Sequence, residues 1–503
     1  MRSIVHTSLA FLLLAPACTI HAQAPSANDN AQTQQRIEAI SAALAATQKQ
    51  LEQSQQQMLE LQQQLQQLRQ QMAATTPPPT SPPASSTSAI PLEERVQTLE
   101  AAVKLHDQTK VESSSKYPVR FNGLILFNSY VNRGVPDNTD LPAVATRQTT
   151  TSGNGSIGAS LRQTILGIRS EGPRIAGAHT FASVDFDFFS SVSYTNYGTS
   201  AGVVRMRTAN IGFEWPADSI EVGLVAPLIS PLSPTSYATV AEPSLASAGN
   251  LWTWAPQLRL AHRQQLANGN HIGYEFGLWD SPSAGYNPNQ LFRTASPAEL
   301  AGQPAFETRL SYGTGPGDGN ERGFQLGLGG YFSRQAYPGY QGYVGTEHID
   351  AYAVTTDFRL PFSHRFELTG EGYRGRSIGG LGGGVYKDTV VGTDPVTGAP
   401  SFRPLNAIGG WTQFKTRFTS SLEANASIGQ DNGFAGDFHA LVLPPTASAG
   451  QLRARNRMAV ANFIYRPKTY LILSPEYRHI WTYSINAPSN TLDVFTLSIG
   501  YQF

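Results

Sequence analysis

The chain has 503 residues and balances 36 Lys+Arg against 36 Asp+Glu, so it carries no global field of the kind that selects nucleic acid. Charged residues are scarce at 14 %, while glycine (46) and aromatic residues (10 %) are plentiful. No run of 18 apolar residues follows the N-terminus, which excludes a membrane protein built of helices.

Residues 1–24 read as a secretory signal. Arg2 supplies a positive start, and Leu9 to Ala15 form an apolar stretch too short to span. Cleavage is expected after Ala22 or Ala24. Cys18 is the single cysteine and leaves with the signal, unless Leu14-Ala-Pro-Ala-Cys18 serves as a lipidation site. With no other thiol, disulfides and thiolate-held metals are not expected. Residues 31–74 then predict a periplasmic coiled coil. One seam runs through Ile37, Leu44, Leu51, Met58, Leu65 and Met72, the other through Ile40, Thr47, Ser54, Leu61 and Leu68. A stripe this narrow calls for self-association. Residues 75–91 hold six prolines and read as a semi-rigid spacer. Residues 92–107 resume a helical spacing through Leu92, Val96, Leu99 and Val103.

From Tyr117 to Phe503 the period changes from about 3.5 to 2. Ala182, Val184, Phe186 and Phe188 alternate with Ser183, Asp185 and Asp187. Ile272, Tyr274, Phe276 and Leu278 alternate with Gly273, Glu275 and Gly277. Sixteen such segments start near 119, 160, 178, 203, 219, 257, 270, 304, 322, 347, 364, 410, 421, 453, 469 and 491. Short and long connections alternate between them, the long ones including 132–159, 227–256, 375–409, 430–452 and 485–490. Short turns on one side, long loops on the other and an even strand number are the habit of bacterial membrane barrels. An open edge in lipid would leave backbone groups unpaired at several kcal/mol each, so the sheet must close. The fold class expected is therefore an all-β transmembrane barrel of about sixteen antiparallel strands behind a helical stalk. A secreted soluble sandwich would explain neither the loop alternation nor the C-terminus. There Phe495, Leu497, Ile499, Tyr501 and Phe503 share one face and end on an aromatic residue.

Signal, coiled coil, linker and a sixteen-strand barrel ending in Phe together resemble the DcaP-like family of trimeric outer-membrane porins. Leu166-Gly-Ile-Arg-Ser-Glu-Gly172, Phe181-Ala-Ser-Val-Asp-Phe-Asp-Phe-Phe189 and Arg205-Met-Arg-Thr-Ala209 are similar to stretches of that family. The resemblance implies a homotrimer in outer-membrane lipid and uptake of small hydrophilic solutes, often organic anions such as dicarboxylates. The stalk of this chain is longer and is broken by its proline linker.

A channel of this kind works through fixed charges around water rather than through catalysis. Charged strand positions are expected to face inward, because a midplane Arg or Lys in lipid costs about 2–4 kcal/mol. The pore-lining candidates are Arg162, Asp185, Asp187, Arg205, Arg207, Arg259, Arg263, Glu275, Glu307, Arg309, Arg359, Lys415, Arg417, Arg455, Arg457 and Arg478. The pairs Arg205/Arg207, Lys415/Arg417 and Arg455/Arg457 read either as cationic ladders that favour anions or as braces paired with inward carboxylates. The segment 227–256 is the candidate constriction loop, with Tyr237, Glu242, Trp252 and Trp254. No enzyme, cofactor or metal centre is expected. Gly375 to Gly379 matches a nucleophile-elbow spacing but lacks the strand-turn-helix setting that the elbow needs. Asp137 to Asp140 and Asp431 to Gly433 read as polar turns of surface loops rather than Ca²⁺ sites. Two other roles compete: a tether that holds the outer membrane to the cell wall through the coiled coil, and an outer-membrane lipase.

Overall fold

A computed structural model describes residues 117–191, 202–283, 294–314, 323–339 and 345–503. The signal, the coiled coil, the linker and the second helix lie outside the described residues.

Alternating sequences pair in order, each strand antiparallel to the next. The staves are β1 (Val119–Arg133), β2 (Gly155–Ser160 and Ile165–Glu171), β3 (His179–Asp187), β4 (Arg205–Glu214), β5 (Asp218–Val225) and β6 (Ala255–Gln265). They continue as β7 (Asn270–Trp279), β8 (Ala305–Thr314), β9 (Gln325–Pro338), β10 (Thr346–Pro361) and β11 (Phe366–Arg376). The wall is completed by β12 (Asn406–Arg417), β13 (Leu422–Gly433), β14 (Arg453–Lys468), β15 (Leu471–Ser484) and β16 (Ala487–Gln502). One sheet of seventeen segments results, two of them halves of β2. The sheet closes where β1 meets β16, from Leu124 opposite Gln502 to Arg133 opposite Asp493. Every segment start read from the sequence has a strand near it.

Closure turns the period of 2 into an inside and an outside. Along β8, Ala305, Glu307, Arg309 and Ser311 are buried while Phe306, Leu310 and Tyr312 are exposed. Along β16, Val494, Thr496 and Ser498 are buried while Phe495, Leu497, Ile499 and Tyr501 are exposed. The exterior is thus apolar and aromatic and the interior polar, the inverse of a soluble core.

Two boundaries differ from expectation. The segment read as a loop up to 159 already carries strand at Gly155–Ser160, and β2 then breaks over 161–164 before resuming at Ile165. Below the break β2 pairs with β3, from Leu166 opposite Phe186 to Glu171 opposite Phe181; above it, β2 pairs only with β1. The last connection, expected to be open over 485–490, is a tight hairpin with Ser484 opposite Ala487. Asn490 already lies in β16, because a polar strand end above an apolar belt alternates with no apolar signal to reveal it.

Candidate pore and its internal loop

The segment between β5 and β6 does not leave the barrel. It turns inward and follows the wall, held by the strands in their spatial order. The backbone N–H of Ile229 donates to Glu307 Oε2 on β8 (3.2 Å), and the Ile229 carbonyl accepts from Thr355 on β10 (2.7 Å). The Ser230 hydroxyl and the Leu232 N–H donate to Glu371 on β11. The Thr235 N–H donates to Gln413 on β12 (2.6 Å), and its carbonyl accepts from Asn462 on β14 (2.9 Å). The Ser236 hydroxyl donates to Glu476 on β15. Tyr237 receives Arg466 Nη2 at 3.2 Å on its hydroxyl, with the guanidinium 5.7 Å from its ring. Nine residues, Ile229 to Tyr237, therefore cross the interior wall from β8 to β15.

The far end of this belt is clamped at the break in β2. Gln163 is 1 % exposed; its amide nitrogen donates to the Ala238 carbonyl (2.9 Å), and its amide oxygen accepts from Val240 (2.7 Å) and Ala241 (3.0 Å). From β4, Arg205 donates to the Ala241 carbonyl (2.7 Å) and Arg207 to the Val240 carbonyl (2.8 Å). Both arginines also bind Asp187, at 2.6 and 3.1 Å. Leu141, Phe189 and Ala241, from three different loops, pack together at this point.

The loop then returns. Leu245 and Ala248 pack on Trp411 and Met458, and Asn456 donates to the Ser247 carbonyl (3.0 Å). Gly249, at φ +98°, lies against the backbone of Gly410, where a Cβ would meet the Gly410 nitrogen and oxygen at 2.4 Å. A Cβ on Gly429 would sit 2.2 Å from the Ala248 carbonyl oxygen. Wall glycines are therefore what lets the loop lie flat on the strands. Trp252 donates to Tyr386 (2.9 Å) and packs edge-on against Trp254 at 5.2 Å, and Trp254 lies 4.7 Å from the Arg207 guanidinium. Glu242 sits in this return; burial lifts its carboxyl pKa to about 7, against the pull of Arg205.

On the turn side of the loop lies a cavity of about 680 Å³. Pro231 and Leu232 bound it, with Arg263, Glu275, Arg309 and Arg359 from the wall and Glu214 and Asp218 at its edge.

The sequence candidates divide three ways. Asp185, Asp187, Arg205, Arg207, Arg259, Arg263, Glu275, Glu307, Arg309, Arg359, Lys415, Arg417 and Arg478 sit on the inward positions of their strands. Most are braced rather than free. Arg309 chelates Asp357 with two bonds of 2.8 Å and meets Glu275 at 3.4 Å. Arg417 meets Glu367 at 3.1 Å, Lys415 meets Glu423 at 3.7 Å, and Arg478 meets Glu476 at 3.3 Å. Arg259 meets Glu221 at 3.6 Å and the Ala226 carbonyl at 2.6 Å. Arg162 is not on a strand: it stands in the β2 break, paired with Asp140 at 3.0 Å, with its guanidinium 4.3 Å from the Phe189 ring.

Arg455 and Arg457 correct the inward assignment. Along β14 the buried positions are the even ones, Asn456, Met458, Val460, Asn462 and Ile464, and the first four meet the internal loop. Arg455 and Arg457 therefore point outward, toward Tyr483 and Gln430. Asp431 is likewise no surface-loop residue. It is fully buried on β13, where it accepts from Tyr373 and from the Val385 N–H (2.8 Å). Asp137 closes a turn by accepting from Ala143 and Val144. Gln163, Gln413 and Asn462 carry much of the loop and were not foreseen; neutral amides leave no charge pattern to follow.

No protein-family model matches the sequence, and no curated protein matches it. Among solved structures, the chain is similar to the outer membrane channel DcaP of Acinetobacter baumannii. The TM-score is 0.58 at 14 % identity, over 78 % of this chain and 99 % of that one. An anion-selective porin from Comamonas acidovorans aligns with a TM-score of 0.46 at 10 % identity, over 77 % and 100 %. At these identities the likeness is one of fold.

Proposed function

We propose that the chain is an outer-membrane porin of the DcaP-like kind, a passive diffusion channel for small hydrophilic solutes. The observation that carries this reading is the pairing of a closed, externally apolar barrel with a long loop fastened around its inner wall. A loop so placed narrows a lumen without sealing it to chemistry, and the wall around it is charged, as a water-filled passage requires. Of the inward candidates, Arg263, Glu275, Arg309 and Arg359 border the open space, Arg205, Arg207 and Glu307 hold the loop to the wall, and Tyr237, Glu242, Trp252 and Trp254 belong to the constriction.

A mild preference for organic anions, dicarboxylates among them, is part of the proposal. Its support is the cavity that gathers Arg263, Arg309 and Arg359. The carboxylate braces on Arg309, Arg417 and Arg478 subtract from that preference, since a paired guanidinium offers a solute less field. The protein works as a homotrimer. The wall where β2 is interrupted and loops replace strand pairing is the natural place for protomers to meet. The N-terminal segment of residues 31–74 is assigned to the periplasm as part of the same reading.

Planar-bilayer recording tests the whole reading. The purified protein should form stepwise ohmic channels, and a salt gradient should give a reversal potential of the anion-selective sign. Silence would sink the channel, and a cation-selective sign would sink the solute preference while leaving the channel intact.

A further inference from the structure

The outward arginines need an explanation that the pore does not give. On β11 and β14, at the loop end of the barrel, Arg374, Arg376, Arg455 and Arg457 all take the outward face. The register joins them into one row: Arg374 lies opposite Ile408, Ile408 opposite Asn432, Asn432 opposite Arg455, and Arg455 opposite Tyr483. Three strand spacings separate the two pairs, about 14 Å.

None of the four meets a carboxylate among the described residues. Arg457 donates to Gln430 (2.7 and 3.1 Å), and Arg455 lies 4.1 Å from the Tyr483 ring. Arg374 donates to the carbonyls of Gly375 and Ala407 and, at 3.4 Å, to Asn406, which itself binds Asp437. The Nε atoms of Arg376 and Arg455 are buried without a hydrogen-bond partner. Other outward charges at this end carry their own counter-charge. Arg334 meets Asp350 at 3.5 Å, and His479 meets Asp493 at 2.6 Å. Toward the turns, the same outward face becomes apolar at once, with Phe414, Ile428, Phe463 and Tyr465 exposed. The cationic row therefore stands at the edge of the lipid-facing belt, where headgroups lie.

We propose that this row is a binding site for an anionic saccharolipid of the outer leaflet, one with a phosphate at each end of its headgroup. Each arginine pair takes one phosphate through paired N–H donors, and the Ile408–Asn432 stretch between them accommodates the sugars. The acyl chains continue down the apolar face. A lipid with a single phosphate can satisfy only one pair.

The inference rests on the outer-membrane reading, which conductance of the wild-type protein tests separately. The test here is binding of the detergent-purified full chain to diphosphoryl lipid A, to the same lipid stripped of phosphate, and to phosphatidylglycerol, read by native mass spectrometry. Diphosphoryl lipid A should bind at least roughly tenfold more tightly than either comparison lipid. The double variants R455Q/R457Q and R374Q/R376Q should each erase that preference, and R455K/R457K should keep part of it. Heat-shifted mobility on SDS gels reports that the barrel is folded. Equal affinity for the three lipids, or unchanged preference in both folded glutamine variants, overturns the site.

Discussion

Gln163 shows how much of the interior depends on one neutral side chain. It makes three hydrogen bonds to the loop and is available for them only because β2 breaks over 161–164 and turns it inward. Gln163→Ala leaves two N–H groups and a carbonyl without that partner, at about 1–3 kcal/mol for buried polar groups. The channel should then conduct more and flicker more, and single-channel recording reads both; a trace identical to wild type would remove Gln163 from any role in the constriction. Glu242 supplies the pH dependence. Its carboxyl titrates near 7 instead of at the ordinary carboxylate range because burial penalises the charge. A raised carboxyl pKa means that the packed loop binds a proton that the loosened loop releases, so the packing is favoured at low pH and weakens as pH rises toward about 7. Open-channel noise should therefore grow as pH rises from about 4.5 to about 7 and level off above that, and Glu242→Gln should abolish the trend. At this scale the sequence was legible for charges and misleading for Arg455 and Arg457. Period two states that residues alternate, not which set faces in. Met458 and Val460 are apolar yet turn inward, where they meet Leu245 and Leu232 rather than water.

Strand positions were readable because closure into a barrel imposes one strict alternation on every stave, and the internal loop was readable by place, after the fifth strand. Its fastening was not. The partners of residues 229–241 are spread over seven strands and the break in β2, and most are single Glu, Gln or Asn residues that look like ordinary lumen polarity. The glycines are the better clue in hindsight. Gly429 faces the lumen on β13 with the Ala248 carbonyl 2.2 Å from where its Cβ would be, and Gly329 on β9 leaves Ile229 only 3.0 Å. Glycine costs a strand stability unless something must approach closely. Gly429→Val should lift the return limb off the wall, raising conductance while leaving the barrel folded, and Gly277→Ala should do less, because its nearest neighbour is the end of the flexible Leu228 side chain at 3.0 Å. Conductance ranked in the opposite order would mean that the loop is not held by this contact.

The barrel exists only if its first and last strands meet, and β1 and β16 meet at Gly123 and Phe503. The backbone of each donates to the carbonyl of the other at 3.0 Å, continuing the β1–β16 ladder to the last residue. The Phe503 ring lies over Gly123, where a Cβ would stand 2.7 Å from Cζ and 2.8 Å from the Ile165 carbonyl oxygen. Closure therefore has a backbone part and an aromatic part, and they can be separated. Phe503→Ala keeps both hydrogen bonds and loses the ring. Deleting Phe503 loses both parts. Gly123→Ala keeps every group but forces the ring aside and crowds a carbonyl that cannot yield. In lipid, an unpaired N–H or C=O at the seam costs several kcal/mol, whereas a ring lost from an exposed apolar face costs far less. The folded fraction, read as the heat-shifted band after refolding into detergent, should fall furthest for the deletion, with Gly123→Ala intermediate and Phe503→Ala nearest wild type. If Phe503→Ala falls as far as the deletion, the ring and not the ladder completes the barrel, and the terminal aromatic acts through contact rather than by ending a strand.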